Sequence, residues 1–193
     1  MIELHTGGAT GSDYAWMRVA THHKIICHVS SFLGHRTLCP FDRVDMDFVK
    51  LHTHNDNDLA LAHPHLEKTN QTLQRRWPTG NQMVNNLLRR NYLIVKDAAQ
   101  VIGIGRLNKH RTIVGGGTGW GIQMGLDLGI ETWVFDQKDG FWYVWSTMEA
   151  VFVKTDSPPN ITGKFAGIGT RAINQAGVAA IIDVVKKIFP RDM

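Results

Sequence analysis

HTGGATGSD, residues 5–13, is the stretch on which the reading of the fold turns. It closes a short apolar run, IELHT (2–6), and passes straight into residues with helical spacing, so strand, glycine turn and helix follow without a break. Gly7, Gly8 and Gly11 permit a tight turn and close backbone approach, and Ser12 and Asp13 open a helix whose free N–H groups are expected to hold an anion. Two further junctions have the same form. VGGGTGWG (114–121) leads into GWGIQMGLDLG, and KFAGIGTR (164–171) ends on Thr170, able to cap, and Arg171, placed to reach a phosphate bidentately. Taken singly, each is common turn chemistry. In a parallel sheet all three fall at the carboxyl edge, where ligands bind at a switch in strand order.

Outward from these junctions, apolar runs of strand length alternate with segments of helical period, the pattern of an α/β protein with a mostly parallel sheet flanked by helices. Strands are expected at IELHT (2–6), KIICHV (24–29), AQVIGIG (99–105), ETWVFD (131–136) and KFAGIG (164–169), each a β-branched or aromatic run bounded by Gly, Asp or Thr. Helices are expected to begin at Ser12, near Asn81, at Gly117 and at Asn174; in the last, Val178, Ile181, Ile182 and Val185 recur with a helical period. FWYVW (141–145) and VFVKT (151–155) read as an antiparallel hairpin, followed by a DSPPN linker that helix and strand both exclude. Residues 30–80 are less regular, and Pro64 within DLALAHPHLEKTNQTLQRRW starts or kinks a helix. The expectation is one domain over 1–193 with a lid or insertion at about 30–80.

With 43% hydrophobic and 20% charged residues, 193 residues suffice for one proper core. Cys27 and Cys39 are too far apart for a CxxC motif, and no charged region followed by an apolar one resembles a secretory signal, so a reduced, cytoplasmic protein is expected. The apolar run LIVKDAAQVIGIG (93–105) is broken by Lys96 and Asp97, well short of the roughly 20 residues of a membrane span. A formal net charge of +4 suits an anionic ligand without requiring one.

GGAxGxD, an RN dipeptide on a helix, GGGTGxG and GIG[ST]R together resemble the SLOG superfamily of Rossmann-like nucleotide-binding domains, which includes DNA-processing protein A, lysine-decarboxylase-like hydrolases and molybdenum-cofactor carriers. The match spans most of the chain outside about 30–80. In the usual arrangement the GIG[ST]R strand comes first; here GIGTR comes last, so the chain is similar to the circularly permuted branch. The helix from Asn174 to Phe189 would then be the crossover that once led into IELHTGGATGSD. By this resemblance Gly7, Gly8, Gly11, Ser12 and Asp13 form one ligand-binding loop, with Asp13 fixing the loop or meeting a ribose hydroxyl. Gly116, Gly117, Thr118 and Gly119 form a second, Gly169, Thr170 and Arg171 a third, and Arg90 and Asn91 lie on the helix lining the same pocket. Trp120 stacks on a base or is a packed aromatic.

The hydrolase branch carries GGxGTxxE, and the position of its glutamate is here Gln123. A neutral amide cannot serve as the carboxylate acid or base. The resemblance therefore points to a binder of a nucleotide-derived or phosphorylated small molecule, a sensor, carrier or sequestering protein in the setting of signalling nucleotides and phage–bacteria conflict, with no catalytic residue assigned. The alternative is an N-glycosidic hydrolase of nucleoside monophosphates with Asp13 as its carboxylate. Single-stranded DNA binding stands third, hinted at only by the arginine pairs at 75–76 and 89–90. Relatives pair through helices, so a homo-oligomer is implied. The many histidines, HTH at 52–54, HPH at 63–65, His22, His23, His28 and His35, lack an HExxH or a paired Cys/His spacing. No metal site and no cofactor are expected.

Overall fold

The computed structural model describes residues 1–35 and 43–189; Cys39 lies outside them. In chain order the elements are β1 (Glu3–Thr6), α1 (Ser12–His22), β2 (Ile26–Phe32), a 3-10 turn (Met46–Phe48), β3 (Val49–His54), α2 (Asp56–Ala60), α3 (His63–Leu73), α4 (Gln82–Val95), β4 (Gln100–Gly105), α5 (Thr118–Asp127), β5 (Glu131–Asp136), β6 (Phe141–Ser146), β7 (Val151–Thr155), β8 (Lys164–Gly169) and α6 (Gln175–Ile188). The strands form one sheet in the order β3-β2-β1-β8-β4-β5-β6-β7. The first six are mutually parallel, and β6 and β7 complete the sheet as an antiparallel meander. This is a Rossmann-like α/β sheet with helices on both faces.

Strand alternation divides the apolar residues between two cores. Leu4, Phe165, Ile102, Ile104 and Phe135 face α1 and α6, meeting Trp16, Ile181 and Val184. Ala166, Ile168, Val101 and Val134 face the other way, onto Ile94 of α4 and Ile122 and Met124 of α5. Trp16 and Phe165, both fully buried, meet edge to face at 5.7 Å; burying such a side chain stabilises by about 1.5–3 kcal/mol. The glycines of GIG strands have a packing reason. A Cβ at Gly103 would lie 2.5 Å from Ile122 Cδ1, and one at Gly167 would lie 2.7 Å from Leu4 Cδ1.

Two of the four expected helix starts, those of α4 and α6, carry side-chain caps. Asn81 accepts from the Val84 N–H, Asn174 accepts from the Gly177 N–H, and Pro64 sits in the first turn of α3. The span expected as a lid differs in content. It holds the end of β2, all of β3, and α2 and α3, while 36–42 lie outside the described residues. VKLHTH is a largely exposed strand that pairs with β2 in parallel at the sheet edge. Its burial is low because an edge strand lacks a second neighbour, and its polar residues leave little apolar signal in the sequence. Among the described residues, no helix is long and apolar enough to cross a membrane.

Candidate functional site

Three adjacent parallel strands, β1, β8 and β4, each end in a connection to a helix: 7–11 into α1, 170–174 into α6, and 106–117 into α5. The three glycine junctions therefore meet at the carboxyl edge of the central sheet. They hold one another directly. The Ser12 N–H and hydroxyl both donate to Thr170 O, at 3.0 and 2.8 Å, and the Thr170 N–H donates to Ile104 O at 2.9 Å. A side chain at Gly11, whose φ is 91°, would strike the Arg171 backbone, and one at Gly169 would strike Ser12.

A cleft of about 700 Å³ opens over this edge, within the range of small-molecule sites. Of the residues predicted from sequence, Asp13, Arg90, Asn91, Gly116, Gly117 and Thr118 line it, together with Gly169, Thr170 and Arg171. Gly7, Gly8, Gly11, Ser12 and Gly119 shape the loops behind it without lining it. Trp120 is buried against Trp77, ring centroids 6.0 Å apart, and belongs to the apolar core. Gln123 is buried on α5 and donates to Asp127 Oδ1 at 2.9 Å, away from the cleft.

The first junction is not the open anion seat expected at a helix N-terminus. Its Ser12 N–H is committed to Thr170 O and its Tyr14 N–H to Ala9 O. Asp13 fills the remaining position, accepting from the Ala9 N–H at 3.3 Å. Arg90, reaching across from α4, donates to Gly7 O at 2.7 Å and lies 3.8 Å from Asp13 Oδ2. Both partners are nearly fully buried. Burial pushes the Asp13 carboxyl above its ordinary range, while Arg90 opposes the shift. His35 backs the guanidinium at 3.4 Å, its pKa drawn down to about 4 by burial and then by Arg90 and Arg171, so the imidazole itself adds no positive charge beside Arg90 near neutrality.

The second junction keeps its amides exposed. Gly116 and Gly117 precede α5, are solvent-accessible, and their N–H groups meet no backbone acceptor among the described residues. Arg75 clamps this loop from behind, donating to Gly116 O at 2.6 Å and Val114 O at 2.8 Å. At the third junction Thr170 does not cap α6; its hydroxyl accepts from the Ala172 N–H at 3.2 Å, and Asn174 is the cap. Arg171 is exposed on the rim.

Sequence reasoning missed three contributions. Arg106, the residue after β4, adds a third guanidinium to the lining; its place just beyond a parallel strand was a usable signal. Val84, Leu87, Leu88 and Ile94 form an apolar wall on one face of α4, recoverable from its helical spacing. Gln137 lines the cleft and accepts from the Asn174 N–H at 2.7 Å, which no local motif announces. The cavity lining combines guanidinium groups and a glycine loop with apolar side chains. That arrangement suits a ligand with an anionic group and a less polar body.

No protein-family model matches the chain. No curated protein matches it either. Among solved structures, the crystal structure named "Putative molybdenum carrier protein" from Syntrophus aciditrophicus SB is similar, with 15% identity, a TM-score of 0.53, and coverage of 97% of this chain and 94% of that one. At that identity the likeness bears on the fold.

Proposed function

We propose that this protein binds a phosphorylated, nucleotide-derived small molecule in the cleft and holds it intact, as a carrier, sensor or sequestering protein. The observation that carries this reading is the composition of one cavity lining: the exposed Arg106 and Arg171, the exposed Gly116–Gly117 loop, and the apolar wall of α4. Guanidinium groups and loop amides complement a phosphate, and an apolar wall accepts the face of a ring system. The name borne by the similar structure, a carrier, agrees with a binding role. So does the permuted SLOG reading, because counting strands from β8 turns the parallel order β3-β2-β1-β8-β4-β5 into 4-3-2-1-5-6, with the cleft at the point where the order reverses. A signalling nucleotide is the ligand this reading favours, and a homo-oligomer its assembly.

The alternative reading, an N-glycosidic hydrolase, has one observation in its favour: Asp13 is a carboxylate in the cleft lining with a raised pKa. Its oxygen already serves the Ala9 N–H and faces Arg90, which is the geometry of a loop brace. Gln123 faces Asp127, so a glutamate there would meet a like charge and still lie outside the cleft. Of the basic pairs that hint at DNA binding, Arg75 and Arg90 donate to backbone carbonyls, which weakens that reading.

The test is mass spectrometry of small molecules released by denaturing the purified protein, paired with incubation against a panel of nucleoside monophosphates. A released phosphorylated compound and no free base over hours are expected. Multiple turnovers to free base would make the protein a hydrolase, with Asp13 as its carboxylate; Gln123→Glu is expected to leave turnover at zero.

A further inference from the structure

The face of β1 turned away from α1 carries a second cluster. Alternation places Glu3 and His5 on the sheet face turned away from α1, since Leu4 between them is in the α1–α6 core. His28 on β2 pairs in register with His5. The imidazoles of His5 and His28 stack at 4.8 Å, and Glu3 Oε2 lies 3.7 Å from His28 Nε2. One ligand atom from each of Glu3, His5 and His28 comes within 4.8 Å of the others.

Two features mark this as more than packing. The Nε2 atoms of both His5 and His28 are buried and have no hydrogen-bond partner among the described residues, a state native structures rarely leave without an ion or water to fill it. His28 Nδ1 lies 2.9 Å from His52 Nε2, and His52 stacks on His28 at 5.1 Å. With the shared proton on His28 Nδ1, its Nε2 presents a lone pair toward Glu3. A partner on the far ring nitrogen is what orients a metal-binding histidine.

We propose that Glu3, His5 and His28 form a binding site for a divalent transition-metal ion of the zinc type, with His52 orienting His28. Two imidazoles and one carboxylate are donors that favour such an ion over magnesium or calcium. Metal–ligand bonds of about 2.0–2.2 Å require the three donor atoms, now within 4.8 Å of one another, to draw closer as the ion binds. Glu3 has a replaceable partner: Lys164 Nζ stands 3.8 Å from Glu3 Oε2 on a side chain that is 53% exposed, so it can swing into solvent as the metal enters. Three protein ligands leave a fourth position for water or an anion. The site is separate from the cleft and independent of the function proposed for it.

Tag-free protein, stripped with chelator, is titrated with Co²⁺ and then with Zn²⁺ while visible d–d absorption and calorimetric heat are followed. One equivalent of Co²⁺ with visible bands, displaced by Zn²⁺, is expected, together with a higher melting temperature in saturating Zn²⁺. His5→Ala, His28→Ala and Glu3→Gln should each weaken binding by about 100-fold or more, and His52→Ala by about 10-fold; a His63→Ala/His65→Ala double variant should bind as the parent does. Circular dichroism reports whether each variant is folded, and Glu3→Gln, at the start of its strand, decides the matter if a histidine variant is not. Absence of stoichiometric Co²⁺ binding, or binding that survives Glu3→Gln unchanged while the His63/His65 variant loses it, would overturn the site.

Discussion

Arg90 and Arg171 carry the same charge into one cleft and do different work. Arg171 is exposed on the rim of the cleft, where its guanidinium can reach a ligand. Arg171→Ala is expected to weaken binding of the released phosphorylated compound by about 1.5–3 kcal/mol, the range for a hydrogen bond to a charged group, with an unchanged melting temperature. Equal calorimetric affinities for parent and variant would remove Arg171 from the site. Arg90, by contrast, is buried with Asp13, and removing one partner of a buried pair costs about 3–5 kcal/mol. Because burial raises the Asp13 pKa and Arg90 opposes that rise, Arg90→Met should raise it further. A carboxyl whose folded pKa lies above its unfolded value is favoured by folding when protonated, and that advantage fades as pH rises through the folded pKa. The variant's deficit should therefore be largest at pH 8 and shrink as pH falls toward the ordinary carboxylate range. Urea denaturation of both proteins at several pH values measures it; a pH-independent deficit would mean that Asp13 is not the group left unpaired.

At the scale of elements, the 106–117 connection and α5 form a unit in which neighbouring glycines have opposite tolerances. A Cβ at Gly119 would collide with the Val114 carbonyl, which Arg75 also holds, whereas a Cβ at Gly117 meets nothing within 4 Å. Gly119→Ala should cost about 1–3 kcal/mol through forced backbone shifts and should speed hydrogen exchange around Gly115–Thr118. Gly117→Ala should leave stability within about 0.5 kcal/mol and act only on the ligand, by placing a methyl group over an anion seat. Thermal melts and binding isotherms of the two variants separate the roles. If Gly117→Ala changes neither, the exposed amides of this loop do not touch the ligand.

For the whole molecule, the decisive relation is that β8, last in sequence, lies parallel between β1 and β4. If chain order is incidental to this arrangement, a flexible linker from the last residue to Met1, with new termini opened between the exposed Asp156 and Ser157, should fold to the same sheet. The rearranged protein is expected to keep the near-ultraviolet circular dichroism of the parent. Its melting temperature should stay within about 5 °C, given that 1 kcal/mol is worth about 2–4 °C at this size. An aggregated or molten product would show that the native starting point is needed for the topology.

Glycine turns, strand alternation and helix caps are local chemistry, and the sequence by itself determined what rests on them. The α/β pattern, the strand that became β8, the starts at Ser12 and Asn174, and the three junctions that meet at one edge were all legible. β3 was not, because an edge strand is stabilised from one side and its polar VKLHTH pattern carries little apolar signal. Nor could local chemistry tell which amides stay exposed: Ser12 is spent on Thr170, 158 residues away, and Arg90 on Gly7, 83 residues away. The rotation of α5 about its own axis, which takes Trp120 and Gln123 out of the cleft while leaving Thr118 in it, is likewise set by packing on the sheet. Motifs specify which groups arrive at the carboxyl edge. Only the tertiary structure decides which of them remain unpaired there, because pairing depends on contacts between segments far apart in the chain.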